Sequence, residues 1–381
     1  MFKWENDQKT IYGHHRMDRE KEQDQAWDQA WESEAAHQGG RLLNQGLYGC
    51  VFMPSLTCQP GTEQVLPGGP YRAGLGKLIG HDDAEKEFAI AGRMARIPFY
   101  RQYFAVAETL CDPAAKRKQR EQELARCGVL DKKVLGEMKL LSMPYAGRPL
   151  HHARFTAAFD LRAFVVHLVA GGALLNLFGV VHRDLHQGNV LVDDRHVPRI
   201  IDFNLAVSAR GAHAAELSHT YEVGISQEPP DSTLVNAIAH GENALAVISA
   251  VAFQKPVIRK LGLVGVTAAS AQRELMAFYQ RSRAVRAGDL ERWFTLHQRV
   301  IDSWAIGVMI VELITSLALW PTLAGKIQRA LPALVPVLRR MCAVAPTERI
   351  DCVQALRLLD PQHVVIRRYA ARWLQILDQT R

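Results

Sequence analysis

The chain has 381 residues, 48% hydrophobic and 22% charged, a composition that excludes a wholly disordered protein and leaves room for two lobes with a sizeable core. The formal charge of +7 is dispersed along the chain, which suits acidic or phosphorylated partners and argues against a dedicated nucleic-acid module. The cysteines at positions 50, 58, 111, 127, 342 and 352 show neither paired metal spacing nor a compact disulfide framework, so ordinary intracellular thiols are expected.

Residues 1–40 are rich in Gln, Glu, Asp and Lys and end in Gly39-Gly40, the composition of a disordered tail. Lys3, Glu5 and Asp7 stand where a secretion signal needs an apolar run, and none is expected. Trp27 and Trp31 would share one helix face, either docking a partner or packing on the chain's own domain. In Arg41–Met53, Gly46 and Gly49 lie between apolar residues and suit a β-hairpin whose backbone can approach phosphate oxygens, although an ordinary hairpin turn reads the same. Residues 54–72, rich in Pro and Gly, form a loop. Gly76-Lys77-Leu78-Ile79 then places a lysine inside an apolar strand, where an unpartnered ammonium is costly.

Asp82–Ile97 has helical spacing, opens on Asp82-Asp83 and carries Glu85 and Glu87. Pro113–Lys133 is polar surface helix and loop. Glu137–Met143 reads as a strand and Pro144-Tyr145-Ala146-Gly147 as the bend after it. Phe155–Phe178 is a helix; the apolar run Ala163–Val181 includes His167 and Asn176 and reads as a buried helix rather than a membrane span.

The most informative stretch is Val181–Val207. Asp184, Asn189 and Asp202 stand out from an apolar frame, and two short β-branched runs, Val190–Val192 and Arg199–Ile201, are punctuated by Asp193-Asp194 and Pro198 as a hairpin requires. A loop presenting Asp184 and Asn189, then a hairpin delivering Asp202, suits phosphoryl transfer: one carboxylate takes a hydroxyl proton, while Asn189 and Asp202 offer hard oxygens to Mg²⁺.

His182-Arg183-Asp184-Leu185 with Asn189, followed by Asp202-Phe203-Asn204, resembles the H-R-D-L-x-x-x-N and D-F-G signatures of eukaryotic-type Ser/Thr protein kinases. The resemblance implies an α+β, bilobal protein-kinase-like fold with a small β-rich N-lobe and a larger helical C-lobe. After the tail at 1–40 that composition indicates, it implies an N-lobe at 41–145, a C-lobe at 146–365 with a helical insert at about 232–298, in which the residues read as helical runs at Leu234–Phe253 and Ala268–Arg286, and a C-terminal helix at 366–381. It makes Asp184 the catalytic base and pairs Lys77, on the ATP phosphates, with Glu87. It also assigns Asn44, Gly46, Gly49 and Val51 to the glycine-rich loop, Met143, Tyr145 and Ala146 to the adenine-reading hinge, and Asn189 and Asp202 to Mg²⁺. The pattern Gly46 to Pro54 with Cys58, the short Lys77–Glu87 spacing and the long insert are similar to kinases of nucleocytoplasmic large DNA viruses, which implies a viral protein.

Further matches follow from the same resemblance. Glu228-Pro229-Pro230-Asp231 stands where kinases carry A-P-E, and Pro346–Ile350 resembles the segment whose arginine pairs with that acid, implying an Asp231–Arg349 salt bridge. Asp302-Ser303-Trp304-Ala305-Ile306-Gly307 matches the start of the central large-lobe helix, which runs to about Leu319 and whose aspartate holds the catalytic-loop backbone. The implied cofactors are ATP and Mg²⁺, the implied substrate a protein. A further protein partner would bind through the Trp27/Trp31 tail or the insert, with no specific nucleic acid and no membrane. The location is read as intracellular and cytoplasmic, with a virion or viral factory added by the viral resemblance. The departures are His186 for the usual lysine, Asn204 for glycine and Asn44 for the first loop glycine. They keep two alternatives open: a pseudokinase scaffold, and a small-molecule phosphotransferase of the aminoglycoside- or choline-kinase type, which shares Asp-Leu-His-x-Gly-Asn.

Overall fold

The computed structural model describes residues 40–46, 49–67, 74–116, 119–131 and 133–379. The predicted tail with Trp27 and Trp31, and Leu47-Tyr48 between the two loop glycines, lie outside them. The chain divides into two compact units: Met1–Tyr100 with Ala105–Arg148, and Arg101–Phe104 with Pro149–Arg381.

The first unit is a six-stranded antiparallel sheet in the order β1-β2-β4-β6-β5-β3. Its strands are β1 (Arg41–Gln45), β2 (Gly49–Met53), β3 (Gln64–Val65), β4 (Leu75–Gly80), β5 (Thr109–Cys111) and β6 (Met138–Met143). Alternation along the strands sorts their side chains onto two faces. Phe52, Leu78, Met138 and Leu140 pack with Leu124 in one buried cluster. Leu43 and Leu75, with Val51, Met53, Met143 and Tyr145, make the other. The helix His81–Met94 buries Ala84, Glu87, Ala91 and Met94, the three- and four-residue spacing of one helical face.

The thiol expectation fails in this unit. Cys50 is bonded to Cys127, and Cys58 to Cys111, with Cα–Cα distances of 6.0 and 5.8 Å. The partners are 77 and 53 residues apart, so only the folded sheet brings them together, and spacing along the chain carries no sign of it. Such bonds persist in oxidising surroundings, and the intracellular reading loses the support it drew from free thiols. Pro113–Lys133 is likewise less peripheral than expected, since Leu124 and Cys127 are buried in the core.

The second unit is helical and built on two buried helices. Leu161–Phe178 starts where the Asp160 side chain accepts the Ala163 N–H, and ends at Gly179 with φ of 70°. The Asp160 cap explains why the helix begins six residues after the predicted Phe155. Ile301–Leu317 carries an almost continuous buried surface. Leu161–Phe178 is long and apolar enough to cross a bilayer by length and composition, yet 67% of it is buried inside the structure. The strip Arg101–Phe104 belongs here: Tyr103 stacks on His167, the His167 ring bonds the Gln102 carbonyl at 2.9 Å, and Phe104 meets Phe203 edge-on.

The predicted helical runs of the insert are interrupted. Leu234–Phe253 is instead Pro230–Ala239 and Ala244–Gln254, separated at Gly241 (φ of 86°) with Asn243 capping the second helix. Ala268–Arg286 divides at Ser282, whose hydroxyl caps Arg283–Arg286. Gly, Asn and Ser each offer the backbone a local alternative to the next helical turn. The predicted C-terminal helix is two, Val364–Tyr369 and Ala371–Gln379, meeting at fully buried Ala370. Cys342 and Cys352 are buried free thiols.

Candidate active site

In the first unit, Lys77 lies in β4 and Glu87 on the inward face of the following helix. Their side chains meet at 2.9 Å with only 12% and 6% exposed. Glu85 lies off the fully buried face that carries Glu87. Gly46 and Gly49 have different environments. The Gly46 N–H bonds the Gly49 carbonyl, closing the turn, and nothing lies within 4 Å of a Cβ at Gly46. A Cβ at Gly49 would come within 2.4 Å of the Leu78 carbonyl oxygen and even nearer the Ile79 side chain. Strand packing therefore already demands that glycine. Asn44 is exposed beside a register shift in β1, Val51, Met143 and Tyr145 share one face cluster, and Ala146 is buried.

In the second unit, the loop His182–Asn189 is held from below and from both sides. The Asp302 carboxylate, at the start of the central helix, accepts the backbone N–H groups of His182 and Arg183 at 2.8 and 3.0 Å. Burial pushes the Asp302 carboxyl up, and the amide bonds and the charge of Arg183 offset this only in part. Arg183 takes a left-handed φ of 68°, and Asp202 one of 62°, conformations that cost a non-glycine residue and persist where surroundings over-determine them. The His182 ring, fully buried, spans the two: its Nδ1 accepts the Asp184 N–H and its Nε2 bonds the Ile201 carbonyl at 2.9 Å. One histidine thus ties the Asp184 backbone to the residue before Asp202. The hairpin that delivers Asp202 pairs Val190–Val192 with Pro198–Ile200.

The Asp184 carboxylate is gripped by neutral amides. Gln227 Nε2 donates to Oδ1 at 3.0 Å, while Asn189 Nδ2 donates to Oδ2 at 3.3 Å and to the Asp184 carbonyl at 2.9 Å. Because both Asn189 contacts use its nitrogen, its Oδ1 is left as a hard oxygen donor. No group of three or more His, Cys, Asp or Glu suited to a metal occurs among the described residues. An amide oxygen plus the Asp202 carboxylate fits a Mg²⁺ that completes its shell with phosphate and water. His186 accepts the Gly188 N–H on Nδ1, so its other nitrogen, 3.9 Å from Asp184 Oδ2, carries the proton in the neutral ring.

The segment after Asp202 is anchored by contacts within the second unit. The Arg183 guanidinium donates to the carbonyls of Glu216 and Leu217. Glu228 is buried and bonded to His219, Ser232 and Thr233 at 2.8–2.9 Å. Burial raises the Glu228 carboxyl, but the His219 bond and the nearby Lys255 charge outweigh it and bring it below its ordinary range. The His219 imidazole is raised mainly by that same bond. Lys255 is completely buried, donates to the Ile225 carbonyl and Thr233 hydroxyl, and is lowered by burial to about 8. Asp231 meets Arg349 at 2.8 Å with both side chains fully buried, and also accepts the Trp293 indole N–H.

The structure therefore brings Asp184, Asn189 and the backbone of Ile201, the residue before Asp202, into one bonded loop system, and Lys77 with Glu87 into one ion pair. Gln227 and Lys255 were not singled out from the sequence, and His182 was read there only as part of the His-Arg-Asp motif, with no bonds of its own assigned. Gln227 lies 43 residues from Asp184 in a stretch with no periodic pattern, and Lys255 was hidden in what read as a helical insert. No known family model matches the chain, and no significant match is found among curated proteins.

Proposed function

We propose that the chain is an ATP-dependent protein kinase with a bilobal protein-kinase-like fold, transferring the γ-phosphoryl group of ATP to Ser or Thr hydroxyls. The observation that carries this reading is the Asp184 carboxylate, oriented by two neutral side-chain amides on a loop pinned by Asp302 and His182. A carboxylate held in this way is positioned to accept the proton of an alcohol. Asp184 accepts that proton as the hydroxyl oxygen attacks the γ-phosphorus and the bond to the β,γ-bridging oxygen breaks, releasing ADP. Asn189 and Asp202 would hold Mg²⁺, which when bound neutralises phosphate charge. Lys77, fixed by Glu87, would take the α/β-phosphates. Positioning and charge neutralisation then supply most of the acceleration. The buried Asp231–Arg349 pair favours a protein acceptor over a small molecule, because the small-molecule enzymes sharing Asp-Leu-His-x-Gly-Asn lack that pair.

The test is transfer of label from γ-labelled ATP with Mg²⁺, on the chain alone and with generic acidic and basic proteins. Asp184→Asn is expected to lower transfer about 100- to 10,000-fold while sparing nucleotide binding, and Lys77→Met to abolish both. Undiminished turnover in Asp184→Asn would remove the base assignment.

A further inference from the structure

The second unit has a cleft of about 750 Å³ between the helix Leu290–His297 and the chain from Arg339 to Gln354, and neither Asp184, Asn189 nor Asp202 lines it. Arg299, Arg339 and Arg340 do. A neighbouring hollow of about 450 Å³ shares Leu296, His297, Thr347 and Glu348 with the cleft, and adds Arg281, Arg283 and Arg292. The shared wall makes the two one groove. Its lining includes no lysine, and Glu348 is its sole acid.

The arginines are not spent on the fold. Arg281 and Arg339 each donate one Nε–H to a carbonyl, of Ala277 and Val264. None of the six makes an ion pair with any described residue. Arg349 also lines the cleft, and its buried Nη1 has no hydrogen-bond partner among the described residues. Crowded guanidinium groups repel one another, and each presents a planar fork that matches a carboxylate with two parallel bonds. Between them stands Leu296, 53% exposed and common to both hollows.

We infer that this groove binds an acidic peptide segment of a partner protein, its carboxylates on the arginines and one apolar side chain against Leu296. A single-stranded nucleic acid would satisfy the charge, but such sites stack bases on exposed aromatic rings. The one aromatic ring system of the lining besides His297 is Phe278, which is 3% exposed. The inference does not depend on phosphoryl transfer, so its failure and that of the kinase reading are separable.

The test uses the full chain and a fluorescein-labelled peptide of Asp and Glu with one central leucine, read by anisotropy at low and high salt. Binding is expected to weaken with salt and to vanish when the acids are replaced by Asn and Gln. It should fall about ten-fold or more in Arg299→Glu/Arg340→Glu, and several-fold in Leu296→Ser. Arg283→Gln/Arg292→Gln, at exposed positions, serves as a second variant should the first not fold, with the same direction expected. Unchanged affinity in a variant whose melting matches the parent would overturn the inference, as would no binding at low salt. Tighter binding of a single-stranded oligonucleotide, lost in the same variants, would reassign the groove to nucleic acid.

Discussion

The two units hold their polar groups in place by different means. In the first, a small sheet with two modest side-chain clusters carries the buried ion pair Lys77–Glu87 and two disulfides that cross-link the chain. In the second, no disulfide occurs among the described residues. There, polar side chains are locked by one another: Asp302 under the loop, Glu228 with His219, Lys255 against Ile225 and Thr233, and Asp231 with Arg349. A thin domain buries too little apolar surface to immobilise a charged pair by packing alone. A thick one can surround each charge with enough partners to make a cross-link unnecessary. The difference teaches that a buried charge costs least where several neighbours can share it.

Breaking the strongest element of the second unit is expected to have the largest effect on stability. Asp231→Ala leaves the Arg349 guanidinium buried without its carboxylate, and about 3–5 kcal/mol of unfolding free energy should be lost. Hydrogen exchange should show that loss in the second unit while the sheet of the first stays protected. If Asp231→Ala and Arg349→Met each cost much less than this, the contrast drawn above falls. Next comes Cys50→Ser/Cys127→Ser, expected to cost about 2–4 kcal/mol with increased exchange confined to β2 and the turn after Ala125. Glu87→Gln keeps the shape of the ion pair but not its charge and should cost about 1.5–3 kcal/mol, while weakening nucleotide binding if Lys77 has the proposed role.

The smallest effect sharpens the comparison through pH. His219 is raised above 6.5 and Glu228 lowered below 4.5 in the folded chain. The His219 contribution is therefore complete below its unfolded value and fades as pH rises through its folded one. The Glu228 contribution is complete above its unfolded value and fades as pH falls through its folded one. Their joint stabilisation is greatest between about 4.5 and 6.5. Denaturant melts of the second unit should give a higher midpoint near pH 5.5 than near pH 8, after correction for other groups by the same series in His219→Gln. A difference that survives intact in His219→Gln would exclude this pair as its source.

How much of this was legible in the sequence depended on the range of the interaction. The hairpin before Asp202 could be read because its strand pattern and its turn residues lie within a dozen positions. The Lys77–Glu87 pair was implied by resemblance to a known family, and the short reach from a strand to the helix directly after it narrowed the acid to Glu85 or Glu87, ten residues on in the pair that forms. Asp231–Arg349 spans 118 residues and was visible only through resemblance to a known family. The disulfides were missed because pairing of distant cysteines is decided by strand order, not by spacing. Gln227 was missed for a related reason: it meets Asp184 through the path of a segment with no regular period. Gly49 is a subtler case. The glycine pattern suggested phosphate approach, while the contact with Leu78 and Ile79 shows that packing alone would select it.

The two cysteines left over have a practical consequence. Cys342 and Cys352 are both fully buried, and burial pushes the Cys342 thiol up to about 12 and the Cys352 thiol well above its ordinary value. As closed thiols they are inert toward alkylating reagents, which attack the thiolate. The described part of the first unit contributes no competing thiol, since its four cysteines are bonded. The rate at which the native chain takes up iodoacetamide is thus a built-in clock for opening of the helical unit alone, readable without any introduced label.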